Sequence, residues 1–311
     1  MNTVQTDLAK GKNAASFLSV AAALLMVYLF WGGTYLGMKI AIESMPPFLM
    51  AGARFMTAGL ILYILSRAQG APRPVALEWR NAGIVGGLLL LMGNGGVAWA
   101  EQHVPSAIAS LVVATVPLWM ILLGKLRGSN RRQSPFVYVG LLLGLAGIAV
   151  LVLHSGGSAQ TRLSPLGLIV LIFASISWAA GSLFSRSAKL PAFPLMSTAI
   201  QMVAGGALLL ILSFVLEDWS GLQVAEISVR SWAAFGYLVL FGSLLGYTAY
   251  IWLLNNAEPA IASTYAFVNP IVAVFLGFFA GNEALTTNVW IATFLIVGAV
   301  VFITNGKEKQ K

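Results

Sequence analysis

The sequence predicts an all-α polytopic membrane protein, ten transmembrane helices set as two inverted five-helix repeats. Three observations predict this. The 311 residues are 59% hydrophobic and only 9% charged. A water-soluble domain carries about 25% charge, so this chain has too little polar surface for water and needs a bilayer as its solvent. Apolar runs of spanning length follow one another from end to end, separated by short polar or turn-rich joints. Finally, the second half repeats features of the first at fixed offsets.

A spanning helix needs roughly 20 mainly apolar residues. Such segments occupy residues 18–41, 47–66, 82–101, 106–124, 135–153, 165–185, 195–215, 232–254, 260–280 and 287–304. Met45-Pro46-Pro47, Pro105-Ser106, Ser155-Gly156-Gly157-Ser158, Pro191-Ala192-Phe193-Pro194 and Glu258-Pro259 mark joints. The polar stretch Met1 to Asn13 precedes an apolar run longer than a signal peptide's core of about 7–15 residues, so residues 18–41 read as an uncleaved first span. Lys and Arg fix the orientation. With the N-terminus inside, cytoplasmic segments hold Lys10, Lys12, Arg67, Arg73, Arg80, Lys125, Arg127, Arg131, Arg132, Arg186, Lys189, Lys307, Lys309 and Lys311. The outer joints hold only Arg162 and Arg230, and they collect Glu43, Glu217, Asp218 and Glu226. Both termini are therefore expected in the cytoplasm, and the net charge of +8 needs no nucleic acid to explain it.

The repeat is visible residue by residue. Ala107-Ile108-Ala109-Ser110 returns as Ala260-Ile261-Ala262-Ser263. The same offset of 153 pairs Pro117 with Pro270, Gly124 with Gly277, Gly93 with Gly246 and Trp99 with Trp252. An offset of 147 pairs Trp31 with Trp178, Lys39 with Arg186, Pro47 with Pro194 and Arg54 with Gln201. The halves are expected at residues 1–153 and 154–311. Five spans is an odd number, so the second half enters the membrane upside down. Inverted repeats are the architecture of many secondary transporters, with substrate held near the midplane where the repeats meet.

Trp31-Gly32-Gly33-Thr34-Tyr35 with Lys39, Pro46-Pro47 and Ala53-Arg54-Phe55 resembles the first two spans of EamA-type members of the drug/metabolite transporter superfamily. Gly93-Asn94-Gly95, the Pro117 span, Tyr265-Ala266-Phe267-Val268-Asn269-Pro270 and Gly281-Asn282-Glu283-Ala284-Leu285 are similar to later parts of that pattern. The loop after the fourth span, Gly128-Ser129-Asn130, lacks the acid found at Glu283. The likeness runs from about residue 20 to 304 and is nearest to YedA-like and PecM-like exporters. It implies a bacterial inner-membrane protein that exports amino acids, metabolites or drug-like compounds.

Candidate pathway residues follow from position. Trp31, Tyr35 and Lys39 are spaced four apart and share one helix face, matched by Trp178, Ser182 and Arg186. Facing each other, they would form aromatic walls suited to flat, apolar or cationic solutes. Tyr247, Tyr250, Tyr265, Asn269 and the mid-span amide Asn94 are further candidates. Pro117 and Pro270 are expected to kink their helices and free carbonyls. Intramembrane charge is costly and points to function by default. Lys39, Arg54 and Glu101 are the cases, with Arg54 expected to pair with Glu101 or a helix carbonyl, as structure or as an outer gate.

Other classes are weak. The chain lacks cysteine and has two histidines, so no metal site or cofactor is expected. Gly-x-x-x-x-Gly-Lys-[Ser/Thr] is missing, which argues against ATP binding. An intramembrane enzyme would need a nucleophile with its base, or paired acids, and none stands out. Uptake or exchange by the same fold, or a sensory or structural membrane role, are the alternatives to export. The expected partners are a small-molecule substrate and the lipid bilayer, with the chain a monomer or homodimer.

Overall fold

The structure is a computed structural model. It describes residues 16–104, 109, 112–128, 134–154, 164–220, 222–281 and 287–306. The polar N-terminal stretch, most of Ala107–Ser110, the glycine-serine joint after His154, the Glu283 loop and the C-terminal lysines lie outside the described residues.

The described chain is helical throughout its apolar runs. Helix α1 covers Phe17–Ala41, α2 Pro47–Ala68 and α3 Ala76–Ala100. They are followed by α4 (Val116–Leu126), α5 (Pro135–His154), α6 (Pro165–Ser187) and α7 (Pro194–Leu216). Helix α8 covers Val229–Asn256. A single turn, Pro259–Ala262, leads into α9 (Tyr265–Gly281), and α10 is Thr287–Asn305. Six of these helices, α1 to α3 and α6 to α8, are long and apolar enough to cross a bilayer. Shorter apolar helical stretches are Val116–Leu126, Pro135–Gly147 and Trp290–Ile303.

Local chemistry sets the helix starts. Ser16, Ser164 and Ser228 cap α1, α6 and α8, each side-chain oxygen accepting from the backbone N–H three residues on. Pro47, Pro165 and Pro194 stand in first turns, where their fixed φ suits the helix and the missing N–H costs nothing. The matched pair Pro47 and Pro194 is thus a pair of helix starts. Gly70, at φ 87°, turns the chain out of α2 in the left-handed region.

Several helices depart from regular α geometry. Helix α1 is interrupted at Gly33. Within α3 and α8, Gly87–Gly95 and Leu238–Tyr247 are wound as π-helix. The proline segments also differ from expectation. Ala114 and Thr115 form a turn, and Pro117 lies in the first turn of α4, so it opens a helix and does not bend one. Pro270 does lie inside α9, as its sixth residue.

The most extensive contacts are α2 with α7 and α5 with α10. Glycine makes both possible by letting backbones touch. A methyl group on Gly59 would stand 2.7 Å from Val203 N, and one on Gly206 would stand 2.7 Å from Met56 N. Gly140 and Gly147 seat Ile303 and Ile296 of α10 in the same way. Helix α1 packs on α8 and α9, while α6 packs on α3 and α4; α2 also meets α8, and α7 meets α3. Each pairing recurs when every helix is exchanged for the one five places away. Leu29, Ile64, Leu142, Phe173, Phe214 and Phe294 stay at least half exposed, as lipid-facing side chains of a bundle do.

Candidate functional site

The largest buried cluster joins α1 to α4 and α6 to α9. Against it lies a cavity of ≈ 560 Å³ of empty space, counting its open part. Trp31, Tyr35, Arg54, Asn94, Trp178, Tyr247, Tyr265 and Asn269 line it. Thr34, Met38, Phe55, Gly93, Val97, Val113 and Gly242 complete the lining. Six helices and the residues just before α4 therefore contribute, from both halves of the sequence.

At its centre two tryptophans meet. Trp31 and Trp178 stand edge to face, their ring centres 5.6 Å apart and their planes at 81°. Tyr265 meets Trp31 edge-on at 4.9 Å, and Tyr250 lies 5.1 Å from Trp31 and 5.6 Å from Trp178. Each indole rests on a glycine of the other half. Trp178 packs on Gly93, where a Cβ would stand 2.7 Å from its ring, and Trp31 packs on Gly246, where a Cβ would stand 2.5 Å from Nε1. Gly93 and Gly246 are the pair matched in the sequence, as are the two tryptophans.

The polar edges of this cluster are largely satisfied inside the protein. Trp31 Nε1 donates to Gly242 O at 2.9 Å, and Trp178 Nε1 donates to the Tyr250 hydroxyl at 3.0 Å. Tyr250 also shares a 2.6 Å hydrogen bond with Ser182, and Tyr247 donates to Gln201 Oε1 at 3.1 Å. Aromatic faces are left to form the wall.

Two of the sequence candidates, Ser182 and Tyr250, are fully buried behind the wall and absent from the lining. Lys39 is exposed and lies away from the cavity. Arg54 does not pair with Glu101. Its Nε donates to Ser243 Oγ at 2.7 Å, while its Nη1 and both Glu101 carboxylate oxygens are buried without hydrogen-bond partners. The reason is position: Arg54 projects into the cavity from the second turn of α2, and Glu101 sits beyond the last turn of α3. Pro117 and Pro270 are buried but do not line the cavity. Thr34, part of the Trp31 motif, and Met38 join the lining as well; they lie three and seven residues from Trp31, a spacing that keeps them on its side of α1. Gly242, Val97 and Val113 carry no signal that separates them from ordinary membrane-helix residues.

Further hydrogen bonds join residues of the first half of the sequence to the second and, within the second half, α6 to the end of α8. Tyr28 and Thr264 share one of 2.6 Å, and Arg186 donates to Leu254 O and Ala257 O. Tyr237 donates to Phe30 O at 2.8 Å, two residues along α1 from Tyr28, and Ser231, at the start of α8, donates to Ile40 O at 2.9 Å.

A bundle of apolar helices of spanning length around an aromatic-lined cavity defines a multi-pass membrane protein. The EamA-like transporter family matches residues 18–153 and again 165–305. The chain belongs to that family and is a membrane transporter. It is 42% identical over 291 residues to the uncharacterized inner membrane transporter YedA of Escherichia coli (strain K12), covering 93% of this chain and 92% of that one. It is 28% identical over 276 residues to protein PecM of Dickeya dadantii (strain 3937), covering 88% of each. The uncharacterized transporter YoaV of Bacillus subtilis (strain 168) is 26% identical over 303 residues, 94% of this chain and 99% of the relative. A solved structure titled "Crystal structure of protein" superposes with a TM-score of 0.75 at 22% identity, over 93% of this chain and 98% of that one, a likeness of fold.

Proposed function

We propose that this chain is a secondary transporter of ten spans in two inverted five-helix halves, residues 1–153 and 154–311. It exports small metabolites, amino acids or drug-like compounds across the bacterial cytoplasmic membrane by alternating access, with both termini in the cytoplasm. One observation carries the reading: Trp31 and Trp178, matched between the halves, meet across the cavity, each seated on the matched glycine of the other half. Two similar units packed this way can exchange conformations, and the exchange moves the opening from one side of the membrane to the other. The family's two successive matches and the helix pairings that recur five places on support the same architecture. The solute sits against Trp31, Tyr35, Trp178, Tyr247 and Tyr265, with Asn94, Asn269 and Arg54 as polar contacts. Ser182 and Tyr250 hold Trp178 in place from behind. Pro270 removes one backbone bond from α9, and the Arg186–Ala257 and Ser231–Ile40 bonds, at the two ends of α8, open and close in turn.

The test is flux in liposomes holding the purified chain, with a broad panel of metabolites and amino acids followed in both directions. Trp31→Ala and Trp178→Ala are expected to lower flux at least about tenfold at equal insertion, since each removes a wall of the size that dominates binding energy. Unchanged flux in both variants would remove the aromatic site from the mechanism. Absence of protein-dependent flux for every solute would count against transport itself.

A further inference from the structure

Among the described residues that line the cavity, Arg54 alone bears a formal charge. Its residue is 2% exposed. Of its guanidinium nitrogens, Nε is held by Ser243 Oγ, and Nη1 is buried with no hydrogen-bond partner. The ring of Phe55 lies 4.6 Å beneath the guanidinium carbon. No carboxylate of the described residues pairs with it. The nearby Tyr237 hydroxyl of α8 already donates its proton to Phe30 O. Burying an ion without a partner costs several kcal/mol, and such ions inside a membrane bundle are rare unless something answers them. Its counterpart in the other half, Gln201, carries no charge and is answered by Tyr247 and Ser197. The unanswered cation is therefore a property of the cavity and not of the shared scaffold.

The rest of the lining defines what could answer it. The indole N–H groups of Trp31 and Trp178 and the Tyr247 hydroxyl are already bonded within the protein, so these side chains offer ring surface. Two amides remain open: Asn94 Oδ1 and Asn269 Oδ1 are buried without partners. An amide turned over presents NH2 in place of oxygen, so these groups can meet an acceptor or a donor on the solute. A guanidinium is a planar fork that matches a carboxylate with two parallel hydrogen bonds. We propose that Arg54 anchors the transported solute by its oxyanion, and that the solute is a carboxylate borne on a flat apolar body. The proposal rests on the transport reading above and names the substrate class of that same cavity. A cation is disfavoured there despite the aromatic walls, because Arg54 already occupies the lining with positive charge.

The experiment uses the full chain in liposomes with matched triplets: phenyl, indole and pyridine solutes, each as carboxylate, primary amide and amine. Binding of each is measured in parallel on the detergent-purified chain by thermal shift. The carboxylate is expected to bind and move better than its own amide and amine by about tenfold or more, the contribution of a hydrogen bond to a charged group. R54Q is expected to abolish that preference, and R54K to keep part of it through charge without the fork. A purely structural Arg54 predicts instead that R54Q lowers all three members of a triplet alike, which would overturn the anchor. Amides or amines handled as well as carboxylates by the unaltered chain would overturn it without any variant, so misfolding of R54Q leaves the question decided. Flux of amides or amines without carboxylates keeps the transport reading and removes the anchor; no flux of any member removes the anchor too, and the broad panel above then decides whether transport itself survives.

Discussion

Gly246 has no room for a methyl group. A Cβ there would stand 2.5 Å from Trp31 Nε1 and 2.8 Å from its neighbouring ring carbon, against a side chain that also donates to Gly242 O. Gly246→Ala must push the indole off its seat, and overpacking of this kind costs about 1–3 kcal/mol. We expect a lower unfolding temperature in detergent together with reduced flux; a variant indistinguishable from the parent in both would show that the seat can yield. At this scale the sequence was partly legible. Trp31, Tyr35, Trp178 and Tyr265 drew attention because large amphipathic rings in mid-span are conspicuous, and they do line the cavity. Arg54 drew attention as an intramembrane charge, but its partner could not be read. Ser243 is one of many small polar residues in the span, and nothing in its neighbours singles it out. Opposite charge suggests an Arg54–Glu101 pair, but charge sign carries no information on direction around a helix.

At the scale of elements, hydropathy located most helices to within a few residues, because spanning length and apolar character are properties of composition. It did not show their internal winding. The π segments Gly87–Gly95 and Leu238–Tyr247 occupy corresponding parts of the third and eighth helices, and each supplies cavity residues: Gly93 and Asn94 from one, Gly242 and Tyr247 from the other. An i→i+5 winding has no residue signature beyond a loose abundance of glycine, and it is frequent at functional sites. Pro117 misled for a related reason, since a proline opening a helix and one bending it look alike in sequence. One cap was equally hidden. The Glu217 carboxylate, beyond the end of α7, accepts from Phe48 N at 2.7 Å and Leu49 N at 2.9 Å in the first turn of α2. It also accepts from Ser213 Oγ at 2.5 Å. A carboxylate on helix-start N–H groups is favoured by their unpaired donors and by the helix dipole. Glu217→Ala should lower stability by about 1 kcal/mol, the usual effect of a lost cap. Thermal unfolding would read this, with Glu217→Gln falling between because it keeps one acceptor; an unshifted Glu217→Ala would mean the contact contributes nothing.

For the molecule as a whole, the excess of Lys and Arg on one set of joints predicts which side each faces. The chain has no cysteine, so single cysteines can report this against no background. A cysteine at Gln69 is expected to react with an impermeant maleimide only after cells are opened, and one at Ser220 in intact cells. The reverse pattern would invert the proposed orientation. The two tryptophans resting on each other's glycines carry a further consequence, one about divisibility. A half produced alone would present an indole with no seat and a glycine seat with no occupant, together with the open faces of α2 and α5. Neither half is then a smaller version of the whole. Cut in the joint between α5 and α6, the chain should behave as two pieces of one object, useful only when both are made in the same membrane.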